Sequence, residues 1–257
     1  MRVMVTNDDG IEAPGILPLA RAVVSAGYDV VVAAPLIDMS GSGAAIGRVH
    51  RDETIDVKPV DLPGLDGVPC IGVDGPPALA VMAGRLGGLG EPPELIVSGI
   101  NPGPNTGRAV LHSGTVGAAL TGANFGVSGL AVSIDVGDEY FWETAASLAV
   151  SVLDWLTDQP PTTVVNLNVP NLPLDQVLGA RTASLAPFGT VRAAMVESDG
   201  SLQMELSEHG MELPPDSDTA LVLSGYAAIT SLVGIRAGDP IDLSAVFEPA
   251  LLEQSPP

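Results

Sequence analysis

Two adjacent carboxylates, Asp8 and Asp9, lie between Asn7 and Gly10 near the start of the chain. Neighbouring carboxylates repel each other, so a folded protein must offset their charge with a cation or with hydrogen-bond donors. Hard divalent cations prefer oxygen ligands such as carboxylates, side-chain amides and hydroxyls. Asparagine, aspartate and glycine are also common in ordinary turns. The tetrapeptide by itself therefore fits both a cation site and a simple turn.

A second polar segment, SGINPGPNTG, contains Asn101 and Asn105 among three glycines and two prolines. This composition favours a rigid backbone whose exposed N–H groups could bind an anion. An ordinary rigid loop has the same composition. The segment alone does not distinguish the two interpretations.

A third segment, His112-Ser113-Gly114-Thr115, precedes a run of small apolar residues that is compatible with a helix. A serine or threonine at this position can serve as a simple helix N-cap. The start of a helix can also bind a phosphate group through its free N–H groups. Capping alone is sufficient to explain these residue types.

Short apolar runs alternate with helix-like segments through the first two thirds of the chain, which predicts an α/β body with a parallel sheet. Proline in the first turn and glycine at the end mark the predicted helices. The predicted strands are Arg2–Thr6, Asp29–Ala34, Val49–Pro59, Glu94–Ser98, Leu130–Ile134 and Thr163–Val169, and the predicted helices are Pro14–Gly27, Pro76–Leu86, Thr115–Phe125 and Glu139–Asp158. The last helix is predicted from a stripe made by Phe141, Ala145, Leu148, Val152 and Trp155.

The polar segments follow predicted strands, and this placement is the main argument for a functional site. Asn7–Gly10 follows the first strand, Ser40–Gly43 the second, and Gly99–Gly107 a later one. Ligands of open parallel sheets bind outside the carboxyl ends of the strands. We therefore expect the three segments to meet at one edge of the sheet.

The pattern changes after Pro173. Two alternating runs, Val191–Val196 and Leu202–Leu206, flank Asp199-Gly200, which predicts a β-hairpin. The tail from Leu221 has short apolar runs and no obvious core of its own. We expect one domain over residues 1–257, with an α/β body to about residue 175 and a β-rich arm over about 176–257.

The charge balance of the chain limits its partners. The 257 residues carry a net charge of −21, and Lys58 is the only lysine. Such a chain repels phosphate backbones and anionic membrane surfaces, so neither nucleic acid polymers nor membranes are expected partners. With Cys70 as the only cysteine, no intrachain disulfide forms, which fits a cytoplasmic location. No apolar run is long enough to cross a membrane.

The segments VTNDDGIEAPGI, VSGINPGPNTG and HSGTVGAALTGANFG together resemble the signatures of the SurE family. In addition, AAPLIDMSGSG resembles the family's metal-binding serine loop, VVNLNVPNLP resembles its late core strand, and DSDTALVLSGYAAITSL resembles its C-terminal region. The resemblance covers nearly the whole chain. It implies a divalent-metal-dependent 5′/3′-nucleotidase, a phosphomonoesterase that converts nucleoside monophosphates to nucleoside and phosphate.

The resemblance also implies a site, a fold and an assembly. One Mg²⁺ or Mn²⁺ ion per subunit would be held by Asp8, Asp9, Ser40 and Asn101, with Asp8 and Asp9 also catalytic. Asn105, Ser113, Gly114 and Thr115 would bind the substrate phosphate. The implied fold is a Rossmann-like three-layer α/β body with a C-terminal arm exchanged between subunits of a homodimer or homotetramer.

The chain departs from the family pattern at two places. Leu36 and Ile37 follow Pro35, where the family usually has polar residues, and Gly75–Ala80 lacks the polar side chains of the corresponding family segment. The second departure motivates an alternative, a nucleotide-binding protein with little turnover. A calcium-dependent nucleoside hydrolase lacks support, because no further aspartate cluster lies near the start. Within phosphatase chemistry, Asp8 or Asp9 could orient or deprotonate water, or Asp8 could act as a covalent nucleophile.

Overall fold

A nine-stranded, mostly parallel sheet with helices on both faces forms the body of the protein. The computed structural model describes residues 1–47, 54–187, 191–198, 201–208 and 212–239. The strands are β1 Arg2–Thr6, β2 Asp29–Pro35, β3 Val57–Pro59, β4 Cys70–Val73, β5 Leu95–Pro102, β6 Ser128–Ile134, β7 Val164–Val169, β8 Ala180–Thr182, β9 Val191–Ser198, β10 Ser201–Glu208 and β11 Ala227–Leu232. The helices are α1 Ile16–Ser25, α2 Pro77–Arg85, α3 Gly114–Asn124, α4 Trp142–Leu156 and α5 Asp218–Leu223.

The strand order is β3-β4-β2-β1-β5-β6-β7-β11-β8. The six strands from β4 to β7 run parallel, whereas β3 is antiparallel to β4 and β11 is antiparallel to β7. The predicted α/β architecture with a parallel sheet is thus confirmed. Of the predicted exposed strand Val49–Pro59, residues 57–59 form β3, and residues 48–53 lie outside the described residues.

Alternate residues of β1 face the two helical layers. Val3 and Val5 pack in the cluster that includes residues of α1 and α4, and Met4 packs in the cluster that includes residues of α2 and α3. All three side chains are buried. A strand covered on both faces is apolar at every position, which explains why β1 appears in the sequence as a continuous apolar run.

The buried face of helix α4 only partly matches the stripe that its sequence predicts: Ala145, Leu148 and Val152 pack against the core, but the two ends of the stripe do not. Phe141 precedes the helix and is 42% exposed, and Trp155 is 51% exposed. The buried positions are Ala145, Ala149 and Leu153, with their neighbours on the same side. Small alanines let the helix backbone approach the sheet closely, so the largest side chains lie at the margin rather than beneath the helix.

The C-terminal segments complete the main sheet. Strand β11 pairs with β7, and Ala227 and Ala228 are buried. The expected division near residue 175 therefore does not coincide with a limit of the sheet. The predicted hairpin is present as β9 and β10, which pair antiparallel in a sheet of their own. The turn residues Asp199 and Gly200 lie outside the described residues.

Strand β5 contains an irregularity next to the polar segment that follows it. Ser98 pairs with Ala131 and Asn101 with Ser133, so β5 has one more residue than β6 between these pairs. Gly99 lies in this bulge at φ +143°, and a Cβ there would collide with the backbone of Val132. Bulges redirect side chains at the ends of strands, and here the redirected residue is Asn101.

None of the helices in the described part of the chain combines the length and apolar character needed to cross a bilayer.

The close approach of α3 to β6 gives a testable prediction. A Cβ at Gly129 in β6 would come within 2.9 Å of backbone atoms of Ala119 in α3. We expect Gly129→Ala to lower the free energy of unfolding by about 1–3 kcal/mol, because a packed interface must separate. The measurement is urea denaturation followed by circular dichroism.

Gly234→Ala is the matched control. A Cβ at Gly234 has no atom within 4 Å, so its effect should stay within about 0.5 kcal/mol. Equal stabilities of the two variants would show that α3 does not lie as close to β6 as described.

Candidate active site

A cleft of about 480 Å³ lies at the carboxyl ends of the parallel strands. The three polar segments that follow β1, β2 and β5 all contribute to its wall, as expected from the order of the strands. Eleven residues line it: Asp8, Asp9, Asp38, Ser40, Gly41, Asn101, Pro102, Asn105, Ala109, His112 and Ser113.

Asp8 is a buried carboxylate anchored by the start of α3. The Thr115 hydroxyl donates to Asp8 Oδ1 at 2.6 Å, and the Gly114 N–H donates to Oδ2 at 3.1 Å. The backbone carbonyl of Asp8 accepts from the Met39 N–H at 2.7 Å. Burial raises the pKa of Asp8, and these hydrogen bonds counteract the shift. The carboxylate is therefore fixed in direction by two donors.

Asp9 differs from Asp8 because its buried oxygen Oδ2 has no hydrogen-bond partner. Burial raises the pKa of Asp9 to about 7, with smaller contributions from the negative charges of Asp8 and Asp38. Asn7 closes the turn, since its side chain accepts from the Gly10 N–H and donates to the Gly10 carbonyl. The tetrapeptide is thus a turn, and it also directs two carboxylates into the cleft.

The loop after β2 places a third carboxylate, Asp38, beside the first two. The Ser40 hydroxyl donates to Asp38 Oδ1 at 2.6 Å, and the Ser40 N–H donates to the same oxygen at 2.8 Å. These bonds hold the pKa of Asp38 below its usual range. Because the serine proton is used on Asp38, the lone pairs of the serine oxygen remain available. Sequence reasoning assigned no role to Asp38, although its position two residues before Ser40 was a usable signal.

Asn101 lies at the end of β5, directly after the bulge. Its side-chain Nδ2 donates to the Gly103 carbonyl at 2.6 Å, which fixes the orientation of the amide. One N–H of the amide is therefore used within the loop, and Oδ1 is the amide atom that can ligate a cation.

Asn105 is held by two asparagines of β7. Its N–H donates to Asn168 Oδ1 at 2.8 Å, and its carbonyl accepts from Asn168 Nδ2 at 3.0 Å and Asn166 Nδ2 at 2.8 Å. Its own side chain donates to Ser133 Oγ at 2.9 Å. Asn166 and Asn168 are fully buried and were not singled out from the sequence. Two asparagines at alternate positions of an otherwise apolar core strand were the signal for their role.

The start of α3 carries the remaining predicted site residues. Ser113 is the N-cap, since its Oγ accepts from the Val116 N–H at 3.1 Å, and it also lines the cleft. Gly114 and Thr115 are buried behind Asp8 and are not among the lining residues. His112 lies directly before the cap and is the only basic side chain among the described residues that line the cleft.

Two glycines of α3 allow this close arrangement. A Cβ at Gly114 would lie 2.6–2.7 Å from Asp8 side-chain atoms and from Ser42 Oγ. A Cβ at Gly117 would collide with the backbone of Gly43 in the serine loop. Because neither position has a side chain, the helix start, the aspartates and the serine loop can all meet.

The charge in the cleft is strongly negative. Three carboxylates line it, and among the described lining residues His112 is the only basic side chain. Within the described residues, histidine, cysteine, aspartate and glutamate side chains nowhere form a group of three or more suited to hold a metal ion. Any cation in this cleft would therefore need serine and asparagine oxygens in addition to carboxylates.

The anchoring of Asn105 predicts a specific stability loss. Asn168→Asp would replace the donor to the Asn105 carbonyl with an oxygen and would bury a charge. We expect the free energy of unfolding to fall by at least about 2 kcal/mol at pH 8, measured by urea denaturation.

Asn171→Asp serves as the matched control. Its side chain also bridges a carbonyl and an N–H, those of Glu139 and Phe141, but it is partly exposed. Its loss should stay near 1 kcal/mol, about that of one hydrogen bond. Equal losses in both variants would contradict the special role of the β7 asparagines.

Comparison with known proteins identifies the family of this chain. The family model described as "Survival protein SurE" matches residues 3–192. A protein of Shigella dysenteriae named 5′/3′-nucleotidase SurE is 36% identical over 242 residues, covering 90% of both chains, and one of Erwinia tasmaniensis is 36% identical over 238 residues with the same coverage. The crystal structure of the SurE protein from Aquifex aeolicus superposes with a TM-score of 0.76 at 29% identity, covering 90% of this chain and 93% of the other. The chain therefore belongs to the SurE family.

Proposed function

We propose that this protein is a nucleotidase, a phosphomonoesterase that hydrolyses nucleoside 5′- and 3′-monophosphates with the help of one divalent cation. The observation that carries the proposal is the unpartnered buried oxygen of Asp9 in a cleft that two further carboxylates line. Such an arrangement is costly unless a positive charge occupies the cleft. The names of the 36%-identical relatives support the choice of substrate.

The oxygen atoms around the cleft suit a hard cation. Asp9 Oδ2 is free, Asn101 Oδ1 is left over once its Nδ2 has bonded to Gly103, and Ser40 Oγ keeps its lone pairs. Asp8 has accepted one hydrogen bond on each oxygen and can still ligate. We assign the cation to Asp8, Asp9, Ser40 and Asn101, and the all-oxygen set favours Mg²⁺ or Mn²⁺ over softer metals.

When bound, the cation would neutralise charge on the phosphate and make a water molecule more acidic. The two aspartates then have different roles. Asp8 is fixed by Gly114 and Thr115, which favours a role as a rigid anchor over that of a covalent nucleophile. Asp9 has a free oxygen within the cleft, so it is the residue suited to orient the attacking water and accept its proton.

Hydrogen-bond donors around the cleft would hold the phosphate. The Ser113 hydroxyl accepts from Val116, so its proton can be donated into the cleft, and α3 presents its positive N-terminal end there. Asn105 is a further polar group in the wall, and His112 is placed to meet negative charge on the ester or its leaving oxygen. Gly114 and Thr115 would act on the phosphate indirectly, by holding Asp8.

The structure offers no support for the alternative of a nucleotide-binding protein with little turnover. It was based on the apolar residues that replace polar ones in Gly75–Ala80. Ala78 and Ala80 are fully buried, Leu79 is 4% exposed, and none of them lines the cleft. The substitutions therefore belong to the packing of α2 and leave the polar residues of the cleft unchanged.

The central test of the function is phosphate release. Protein dialysed against chelator should release no phosphate from adenosine, guanosine, cytidine or uridine 5′- and 3′-monophosphates, and Mg²⁺ or Mn²⁺ should restore release. Full activity in chelator would rule out the cation model, and no activity with any ester or ion would rule out the function.

Asp9→Asn should reduce kcat by at least about 100-fold, since it removes the proposed proton acceptor and a ligand. Asp175→Asn makes the same chemical change at an exposed position outside the cleft and should leave kcat unaltered. Circular dichroism of both variants checks that they fold.

We also propose a homodimer or homotetramer in which the C-terminal arm forms much of the interface, and a cytoplasmic location. In the described part of the chain β9 and β10 pair only with each other, and an isolated two-stranded hairpin is marginal in water. β8 is an exposed edge strand, which favours pairing with another chain. Leu178, Leu185 and Leu223 are exposed in the C-terminal region.

The intact chain should sediment as a dimer or larger species at micromolar concentration. Replacing residues 188–211 with a short glycine-serine linker should shift it toward monomer while β8, α5 and β11 remain. A monomeric intact chain with full phosphatase activity would contradict the proposed role of the arm.

A further inference from the structure

Asp218, at the start of α5, is a fully buried carboxylate that the proposed chemistry does not use. It lies outside the cleft and forms no salt bridge within the described residues. Buried carboxylates are stable only when cations or several hydrogen-bond donors compensate their charge. Three backbone N–H groups compensate this one.

The three donors come from separate parts of the chain. The Gly107 N–H donates to Asp218 Oδ2 at 2.8 Å, and the Ala186 N–H donates to Oδ1 at 2.9 Å. The third is the neighbouring Thr219 N–H at 2.8 Å. Ala186 lies just before the hairpin β9–β10, and Gly107 begins the short helical turn that ends at His112. One carboxylate therefore joins the C-terminal segment to the wall of the cleft.

The bond to Gly107 complements the bonds that hold Asn105. Asn105 is fixed on one side by Asn166 and Asn168 of β7, and two residues later the chain is fixed by Asp218. The turn that follows carries Ala109 and His112 on the cleft and leads directly to Ser113. Moving Gly107 would displace the segment from Asn105 to Ser113, which is most of the proposed phosphate-binding wall.

We infer that Asp218 is a positioning residue for the phosphate site, so that the affinity of the cleft for phosphate depends on the C-terminal segment. This inference rests on the proposed function for the identity of the ligand. Asn101 lies six residues before Gly107 and has its own anchor at Gly103. The cation-binding half of the cleft is therefore independent of Asp218.

The test measures binding of inorganic phosphate by calorimetry in Mg²⁺, together with KM and the Mg²⁺ concentration for half-maximal activity. Asp218→Asn keeps the shape but turns one oxygen into a donor that must face a backbone N–H. We expect the Kd for phosphate and the KM to rise about tenfold, the effect of one lost charge-assisted hydrogen bond. The Mg²⁺ requirement should change less than about twofold, because Asn101 keeps its anchor.

Two control variants separate positioning from general destabilisation. Ser217→Ala removes the N-cap of α5, which accepts from the Ala220 N–H, and should lower the melting temperature without altering the Kd for phosphate. Asp216→Asn makes the same chemical change as Asp218→Asn at an exposed residue and should alter neither quantity. If Ser217→Ala and Asp218→Asn both raise the Kd for phosphate in proportion to the fall in their melting temperatures, the inference is overturned.

A second variant keeps the inference testable if Asp218→Asn does not fold. Ala186→Pro removes one donor to the same carboxylate from a position outside the cleft, and the Kd for phosphate should rise about threefold. An unchanged Kd in a folded Ala186→Pro protein would overturn the inference. A wild-type protein that binds phosphate but hydrolyses no ester would refute the proposed function and leave the role of Asp218 to be decided by the same calorimetry.

Discussion

The repulsion between Asp8 and Asp9 is the constraint around which the site is built. A buried carboxylate followed by a half-buried one is unfavourable, and the described donors act on only the first of them. Gly114 and Thr115 both act on Asp8, whereas Asp9 keeps an unpartnered oxygen. Asp38 adds a third negative charge to the same cleft. The cleft therefore holds negative charge that the described donors do not compensate and that a bound cation would offset. This charge lowers the stability of the fold at the place where the proposed chemistry needs it.

Close backbone packing is what brings the necessary groups together. The start of α3 can lie against Asp8 and the serine loop because Gly114 and Gly117 have no side chains. The bulge in β5 redirects Asn101, and Gly99 makes the bulge possible. These contacts fix the helix against the loop after β2 and the end of β5 against β6, so a change in either would alter the distances between the oxygen atoms at the cleft.

The sequence predicted the parts of this structure that depend on local patterns. Buried parallel strands are apolar at every position, so β1, β2 and β5 could be located, and their polar continuations identified the edge of the sheet. Helix α4 was located and the middle of its predicted stripe packs on the core, but Phe141 and Trp155 at the ends of the stripe are exposed. Long-range pairings were not predictable. The insertion of β11 beside β7 depends on contacts between residues 60 or more positions apart, and no local pattern encodes such partners.

The same distinction applies within the site. Carboxylates, serine and asparagine that face a ligand could be recognised by their chemistry and by the resemblance to a family. The partners of the residues that hold them could not be predicted, since Asn168 and Asp218 act on backbone groups of Asn105 and Gly107 that any sequence possesses. Both supporting side chains are fully buried, and both lie in the last hundred residues. The ligand-facing residues of the cleft therefore come from the first half of the chain, while the rigidity of the wall around Asn105 depends on the second half.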